Sequence, residues 1–132
     1  MTNSNAITQG LHHAGFTVPD IDATGAFLLE ALGFEQVGEI AEYPARFYSD
    51  GTVMITLWQV KDRSRTVAFD RHHNVGMHHV AFRVADLDGL YQILSSRADV
   101  DVEFAPEPLG SGGARHAMCT IPGGLRVEFI QP

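Results

Sequence analysis

Residues 12–18 read HHAGFTV and residues 78–84 read HHVAFRV. His12 and His78 stand 66 positions apart (78 minus 12), and the same step aligns His13 with His79, Phe16 with Phe82, Val18 with Val84, Asp20 with Asp86, Asp22 with Asp88 and Leu28 with Leu94. A chain that says one thing twice must fold that unit twice. Half of a 132-residue chain is marginal by itself, because small chains bury too little surface. The copies are therefore expected to form a single domain over residues 10–132 after a loose N-terminus, 1–9. Module one covers 10–60, a polar linker 61–76 and module two 77–132.

Periodicity assigns the same elements to each copy. Leu11–Val18 alternates like a strand, Pro19 ends it, and Asp20 or Asp22 can cap a helix over Ile21–Leu32 that stops at Gly33. Phe34–Ile40, Ala45–Ser49 and Thr52–Gln59 read as strands, with Asp50-Gly51 as a tight turn. In the second copy the strand Met77–Val84 precedes a helix from Asp86 to Arg97. Val100–Phe104, Arg115–Ile121 and Leu125–Ile130 then read as strands. Pro122-Gly123-Gly124 is a turn and Pro106–Gly113 a flexible loop. The fold class is α+β: two tandem strand–helix–three-strand modules.

Strand alternation sorts the side chains by face. Ala14, Phe16 and Val18 belong with the helix, as do Val80, Phe82, Val84, Val127 and Phe129. The opposite face collects His13, His79, Glu128, His116, Met54, Thr56 and Trp58. Two imidazoles and one carboxylate make a divalent-metal donor set with positions left open for substrate. His116 is a candidate acid/base, since imidazole exchanges protons near neutrality. Tyr48, Met54, Thr56 and Trp58 are candidate substrate contacts. His12 and His78 are expected on the helix side, as buried structural groups or as groups that support the ligand residues. Arg126 reads as a solvated strand residue, and His72 and His73 as linker residues of open role. Cys119 reads as a small buried hydrophobe.

Charge and composition narrow the partners. Nine Lys and Arg against 16 Asp and Glu give a formal charge of −7, which disfavours a phosphate backbone. No run is long and apolar enough for a membrane helix, and the start MTNSNAITQ lacks the pattern of a secretion signal. One cysteine permits no internal disulfide, so a cytoplasmic location is expected. The expected partners are a small molecule and a second copy of the chain, with neither nucleic acid nor membrane.

The segments LHHAGFTVPDID, GFEQVGE, MHHVAFRVADLD and IPGGLRVEFIQP resemble the vicinal-oxygen-chelate superfamily, which includes glyoxalase I, extradiol dioxygenases, fosfomycin-resistance proteins and methylmalonyl-CoA epimerase. The likeness runs from Leu11 to Pro132. It implies βαβββ modules curled into a half-open barrel of mixed sheet, helices outside, around one divalent metal. Carried over position by position, the ligands fall on His13, His79 and Glu128. The matching last-strand position of module one falls on Thr56, where glyoxalase I has glutamate and the epimerase glutamine or glutamate. That departure weakens the isomerase and epimerase readings. The remaining His, His, Glu set is similar to that of extradiol dioxygenases, with Fe2+ first and Ni2+, Zn2+ or Mn2+ as other metals. Fosfomycin-resistance proteins carry a threonine two residues after the first ligand, where this chain has Gly15. The expected function is a metal-dependent enzyme acting on a small substrate with adjacent oxygens. Extradiol-type ring cleavage leads, a glyoxalase-type lyase or isomerase follows, and a metal-free binding protein is the alternative.

Overall fold

The computed structural model describes residues 5–132, so part of the expected loose stretch 1–9 lies outside the described residues. Two compact units, Met1–Lys61 and Asp62–Pro132, divide the chain. The first contains β1 (His13–Val18), α1 (Ile21–Glu30), β2 (Glu35–Ile40), β3 (Ala45–Ser49) and β4 (Met54–Gln59). The second opens with a short 3-10 turn at Arg63–Arg65 and contains β5 (Val80–Arg83), α2 (Leu87–Ser95), β6 (Asp101–Pro108), β7 (Arg115–Ile121) and β8 (Leu125–Gln131). Each unit is strand, helix, three strands, and each sheet is mixed. The orders are β1-β4-β3-β2 and β5-β8-β7-β6, with the first strand of each unit parallel to its last. Among the described residues no helix is long and apolar enough to cross a membrane.

The helices begin where a carboxylate can satisfy free backbone N–H groups. Asp20 Oδ1 accepts from the amides of Asp22 (3.0 Å) and Ala23 (3.2 Å), and Asp86 Oδ1 accepts from Gly89 (3.0 Å). A glutamine at the end of each unit's last strand supplies the next acceptor. Gln59 Oε1 accepts from the Ile21 amide at 2.8 Å, and Gln131 Oε1 accepts from the Leu87 amide at 2.8 Å. The last strand of each unit is thus bonded to the first turn of its helix. Gln131→Ala leaves that amide without its acceptor and is expected to destabilise unit 2 by about 1 kcal/mol, read as a lower urea midpoint. Beyond α1 the chain turns at Gly33 (φ +72°), and the Phe34 amide reaches back to the Leu28 carbonyl at 2.9 Å.

Each helix packs on one face of its own sheet. Val18, Phe27, Leu28, Tyr48, Ile55 and Leu57 fill the first core, and Leu87, Leu94, Cys119, Val127 and Phe129 belong to the second. Cys119 is the small buried hydrophobe expected from the alternation. Burial raises its thiol pKa to about 12, so no thiolate forms near neutrality. Native protein at pH 8 is therefore expected to resist thiol reagents, with full labelling only after denaturation.

Two boundaries differ from the sequence pattern, and both matter for the site. Strand β5 starts at Val80, not at Met77, so the period-2 rule does not govern His78. Strand β6 runs on through Pro108, into the segment expected to be a loop. Register shifts between Val102 and Phe104 and between Phe104 and Glu107 let the strand take up Pro106 and still pair Glu107 with His116.

Candidate functional site

Strand register fixes which positions of the two units correspond. Gly15 lies opposite Thr56 in the β1–β4 pair, and Ala81 lies opposite Glu128 in the β5–β8 pair. Gly15 and Ala81 are related by the internal repeat, so Thr56 is the counterpart of Glu128. Met54, two residues earlier, is then the counterpart of Arg126. The folded chain keeps the repeat in its backbone and breaks it in its chemistry.

In unit 2 the face away from α2 carries the charge. Glu128 is only 8% exposed, and each of its oxygens meets a different imidazole. Oε1 lies 3.1 Å from His79 Nε2, and Oε2 lies 2.6 Å from His116 Nδ1. The far side of the His116 ring, Nε2, sits 3.7 Å from Glu107 Oε1. Phe104 rests against the same ring at 4.8 Å between centroids. Beside this group Arg126 forms a two-pronged pair with Glu103, Nε to Oε1 at 2.9 Å and Nη2 to Oε2 at 2.6 Å. That pairing lowers the Glu103 pKa and raises that of Arg126. Arg71 approaches Glu103 at 3.5 Å. Arg126 Nη1 is 3.2 Å from His78 Nδ1, which is 2.8 Å from His79 Nδ1. Partial desolvation, then the Arg126 cation, lowers the His78 pKa.

Unit 1 offers an aromatic face in the corresponding place. Trp58 Nε1 donates to Thr56 Oγ1 at 2.9 Å, Tyr43 stands edge-on to the indole at 4.8 Å, and Phe47 is tilted toward it at 6.1 Å. Gly15 makes room for this arrangement. A Cβ there would lie 2.9 Å from Thr56 Oγ1 and 3.3 Å from Trp58 Nε1, so a threonine at this position would have to displace one of those side chains. His13 begins β1 opposite Met54, and its Nδ1 lies 2.8 Å from His12 Nδ1.

The structure therefore brings His79, His116 and Glu128 together, and separately gathers Thr56 and Trp58. Tyr48, expected to touch substrate, is instead a core residue. It is 1% exposed, pairs with the helix-facing Ile55 and lies against Gly25 of α1. Its neighbour Phe47 takes the opposite face, because alternation exchanges the two. His78 is exposed beside Arg126 and is not a buried helix-side group, since β5 has not begun. Nor is Arg126 a solvated strand residue; Glu103 holds it. His73 pairs with Asp70 at 2.8 Å in an exposed linker turn, and His72 donates its amide to the same carboxylate at 2.9 Å. Glu103, Glu107 and Tyr43 went unrecognised in the sequence. An expected loop concealed Glu107, and the alternation rule carried no partner for Glu103.

Among the described residues no group of three or more His, Cys, Asp or Glu side chains is arranged to hold a metal ion. The pair His79–Glu128 nevertheless fits two adjacent positions of one. Donors at about 2.1 Å from a common ion and at right angles stand roughly 3 Å apart, and Nε2 and Oε1 are separated by 3.1 Å. Neutral imidazole and carboxylate also suit a first-row divalent ion.

Comparison with known proteins agrees with this architecture. Residues 10–129 match the family model of the Glyoxalase/Bleomycin resistance protein/Dioxygenase superfamily, and the chain belongs to that superfamily. Among curated proteins it is 25% identical to a 2-epi-5-epi-valiolone epimerase of Actinomyces sp, covering 91% of this chain and 78% of the relative. Its fold is shared by the fosfomycin resistance protein FosX of Listeria monocytogenes (TM-score 0.74, 17% identity, 96% of this chain and 95% of that one). A variant of that FosX was crystallised with Mn(II) and 1S,2S-dihydroxypropylphosphonic acid (TM-score 0.71, 18% identity, 93% and 91% covered). Lactoylglutathione lyase of Agrobacterium tumefaciens also shares the fold (TM-score 0.71, 23% identity, 96% of each chain).

Proposed function

We propose that this protein is a divalent-metal-dependent enzyme that moves a proton on a small substrate bearing adjacent oxygens. His79 and Glu128 are two of the metal donors, and the third, which the resemblance assigns to His13, comes from this chain or from a second copy. The observation that carries the proposal is the division of labour at Glu128, with one oxygen toward His79 and the other toward His116. A bound divalent ion would draw electron density from a substrate carbonyl and make the neighbouring C–H acidic. Fe2+, Mn2+, Ni2+ and Zn2+ all suit these donors. Glu128 Oε2 accepts from His116 Nδ1–H, which leaves the lone pair on Nε2 as the base. Glu107 Oε1 lies 3.7 Å from that nitrogen, on the side of the ring away from Glu128. Trp58 and Met54, both partly exposed, offer an apolar surface for the body of the substrate, whereas Thr56 is 2% exposed, accepts from Trp58 and supports the indole from beneath, contrary to its expected role as a substrate contact.

The epimerase relative supports proton transfer at carbon. Thr56 in the place of a second carboxylate leaves His116 as the group that handles the proton. The experiment is a titration with Mn2+ followed by incubation of small 2-hydroxyketones in D2O, with exchange read by NMR. One Mn2+ per chain and exchange abolished by His116→Gln, with the metal retained, support the proposal. Exchange that persists in His116→Gln sinks the role of His116.

Ring cleavage is the second reading. It is favoured by the His13, His79, Glu128 set, which matches the two-histidine, one-carboxylate donors of non-haem iron oxygenases. Oxygen uptake with catechols after anaerobic Fe2+ loading separates the two. The proposal includes a homodimer, since β2 and β6 each end a four-stranded sheet, and sedimentation equilibrium reads the mass.

A further inference from the structure

We infer that Arg126 and Arg71 form an oxyanion subsite beside Glu128, so that the substrate carries a carboxylate or a phosphate in addition to its adjacent oxygens. The subsite deepens the proposed function and rests on its reading that the substrate lies on this face of unit 2. Donors outnumber their acceptors here. A guanidinium has five N–H hydrogens and accepts none. Glu103 takes two of them from Arg126, one at Nε (2.9 Å) and one at Nη2 (2.6 Å). His78 Nδ1, 3.2 Å from Nη1, takes at most one more. Each terminal nitrogen therefore keeps an N–H with no acceptor among the described residues. The Arg126 side chain is only 13% exposed, and a donor so placed is costly without a partner. Free N–H groups on both terminal nitrogens suit the paired oxygens of a carboxylate or a phosphate.

Arg71 brings a second cation to the same place. It belongs to the linker turn 70–74, which closes on itself. The Asp70 amide donates to Asn74 Oδ1 at 2.6 Å, and the Asn74 and His73 amides donate to the Asp70 carbonyl at 2.8 and 3.1 Å. From this turn Arg71 Nη1 reaches Glu103 Oε1 at 3.5 Å, with 34% of the side chain exposed. One carboxylate thus serves two guanidiniums. Those three groups sum to a single positive charge, within a chain whose formal charge is −7. Glu128, the next acid along β8 on this face, turns its two oxygens to His79 and His116.

Arg126 and Glu128 stand two residues apart on one strand, so their α-carbons are roughly 6.5 Å apart, within the length of a small substrate. The counterpart of Arg126 in unit 1 is Met54, which has neither charge nor hydrogen to offer. The repeated unit therefore provides for an anion at this position in one copy alone.

The test uses metal-free protein, so that its result does not depend on a bound ion. Hydroxypyruvate, dihydroxyacetone phosphate and dihydroxyacetone share a hydroxyketone core and differ in charge. Each is titrated at low salt while the arginine Nε–H signals are followed in 1H–15N spectra. At least one of the two anions is expected to bind about 10-fold or more tightly than dihydroxyacetone and to shift the Arg126 signal. The tighter anion tells carboxylate from phosphate. Arg126→Met combined with Glu103→Gln, which leaves no acid without its partner, should abolish the preference. Arg71→Ala should reduce it by roughly 2- to 5-fold. Arg126→Lys, which keeps the charge and loses the fork, should retain part of it. Equal affinity for all three compounds in wild type, no binding of either anion, or a preference that survives in the double variant overturns the inference. Mn2+ is titrated separately. Wild type that prefers the anion but takes no Mn2+ removes the metal proposal and supports the subsite.

Discussion

Glu128→Gln is expected to weaken Mn2+ binding by at least about 100-fold and to reduce turnover in proportion, while the metal-free fold loses less than about 1 kcal/mol. The asymmetry follows from where the charge sits. Glu128 is nearly buried between two imidazoles, so the carboxylate gives up hydration in the folded state and regains it through His79 and His116. A glutamine removes both the loss and the gain, and the net change in stability is small. Its amide has no negative charge to offer a cation, and one of its two polar atoms is a donor directed at a ligand position. Isothermal titration with Mn2+ and urea unfolding of the same preparation check the pair of outcomes. A variant that binds Mn2+ as wild type does would remove Glu128 from the site.

The largest expected effect on stability lies in the core of unit 1. A Cβ at Gly25 would overlap the Tyr48 hydroxyl and come within 3.0 Å of Tyr48 Cζ. Gly25→Ala is therefore expected to destabilise the protein by about 2–3 kcal/mol, despite the better helix propensity of alanine. The double variant Gly25→Ala/Tyr48→Phe removes the overlapping oxygen and should recover a substantial part of that loss. The ring carbon stays close, so recovery should be incomplete. Urea midpoints for the single and double variants measure the coupling. A double variant no more stable than Gly25→Ala would show that the hydroxyl is not the obstacle.

Much of the architecture could be read before folding because the signals were local and doubled. Asp20 and Asp86 mark helix starts, Gly33 a stop, and the alternation in Arg115–Ile121 and Leu125–Ile130 places Glu128 and His116 on one face. The failures have equally local causes. Tyr48 and Phe47 are adjacent aromatics, and only the pairing of β3 with β4 decides which of them meets the helix. His78 precedes its strand, so alternation had no authority over it. Glu107 entered the site because bulges let β6 continue through Pro106. Arg126 found a partner on β6, and cross-strand ion pairs leave no trace in the spacing of residues. The helix-capping role of Gln59 and Gln131 was likewise invisible, although both glutamines end a last strand in the same way.

Strand β8 holds an unusual share of what unit 2 needs. Gln131 secures the first turn of α2, Glu128 joins the two imidazoles, and Arg126 fastens Glu103. These tasks fall within residues 125–131, after every other strand and helix of the two units. All of unit 1 is therefore made before unit 2 receives its carboxylate and its helix latch. Synthesis that stops short of β8 would leave unit 2 with neither its latch nor its acidic centre, a product missing a part and not one merely loosened.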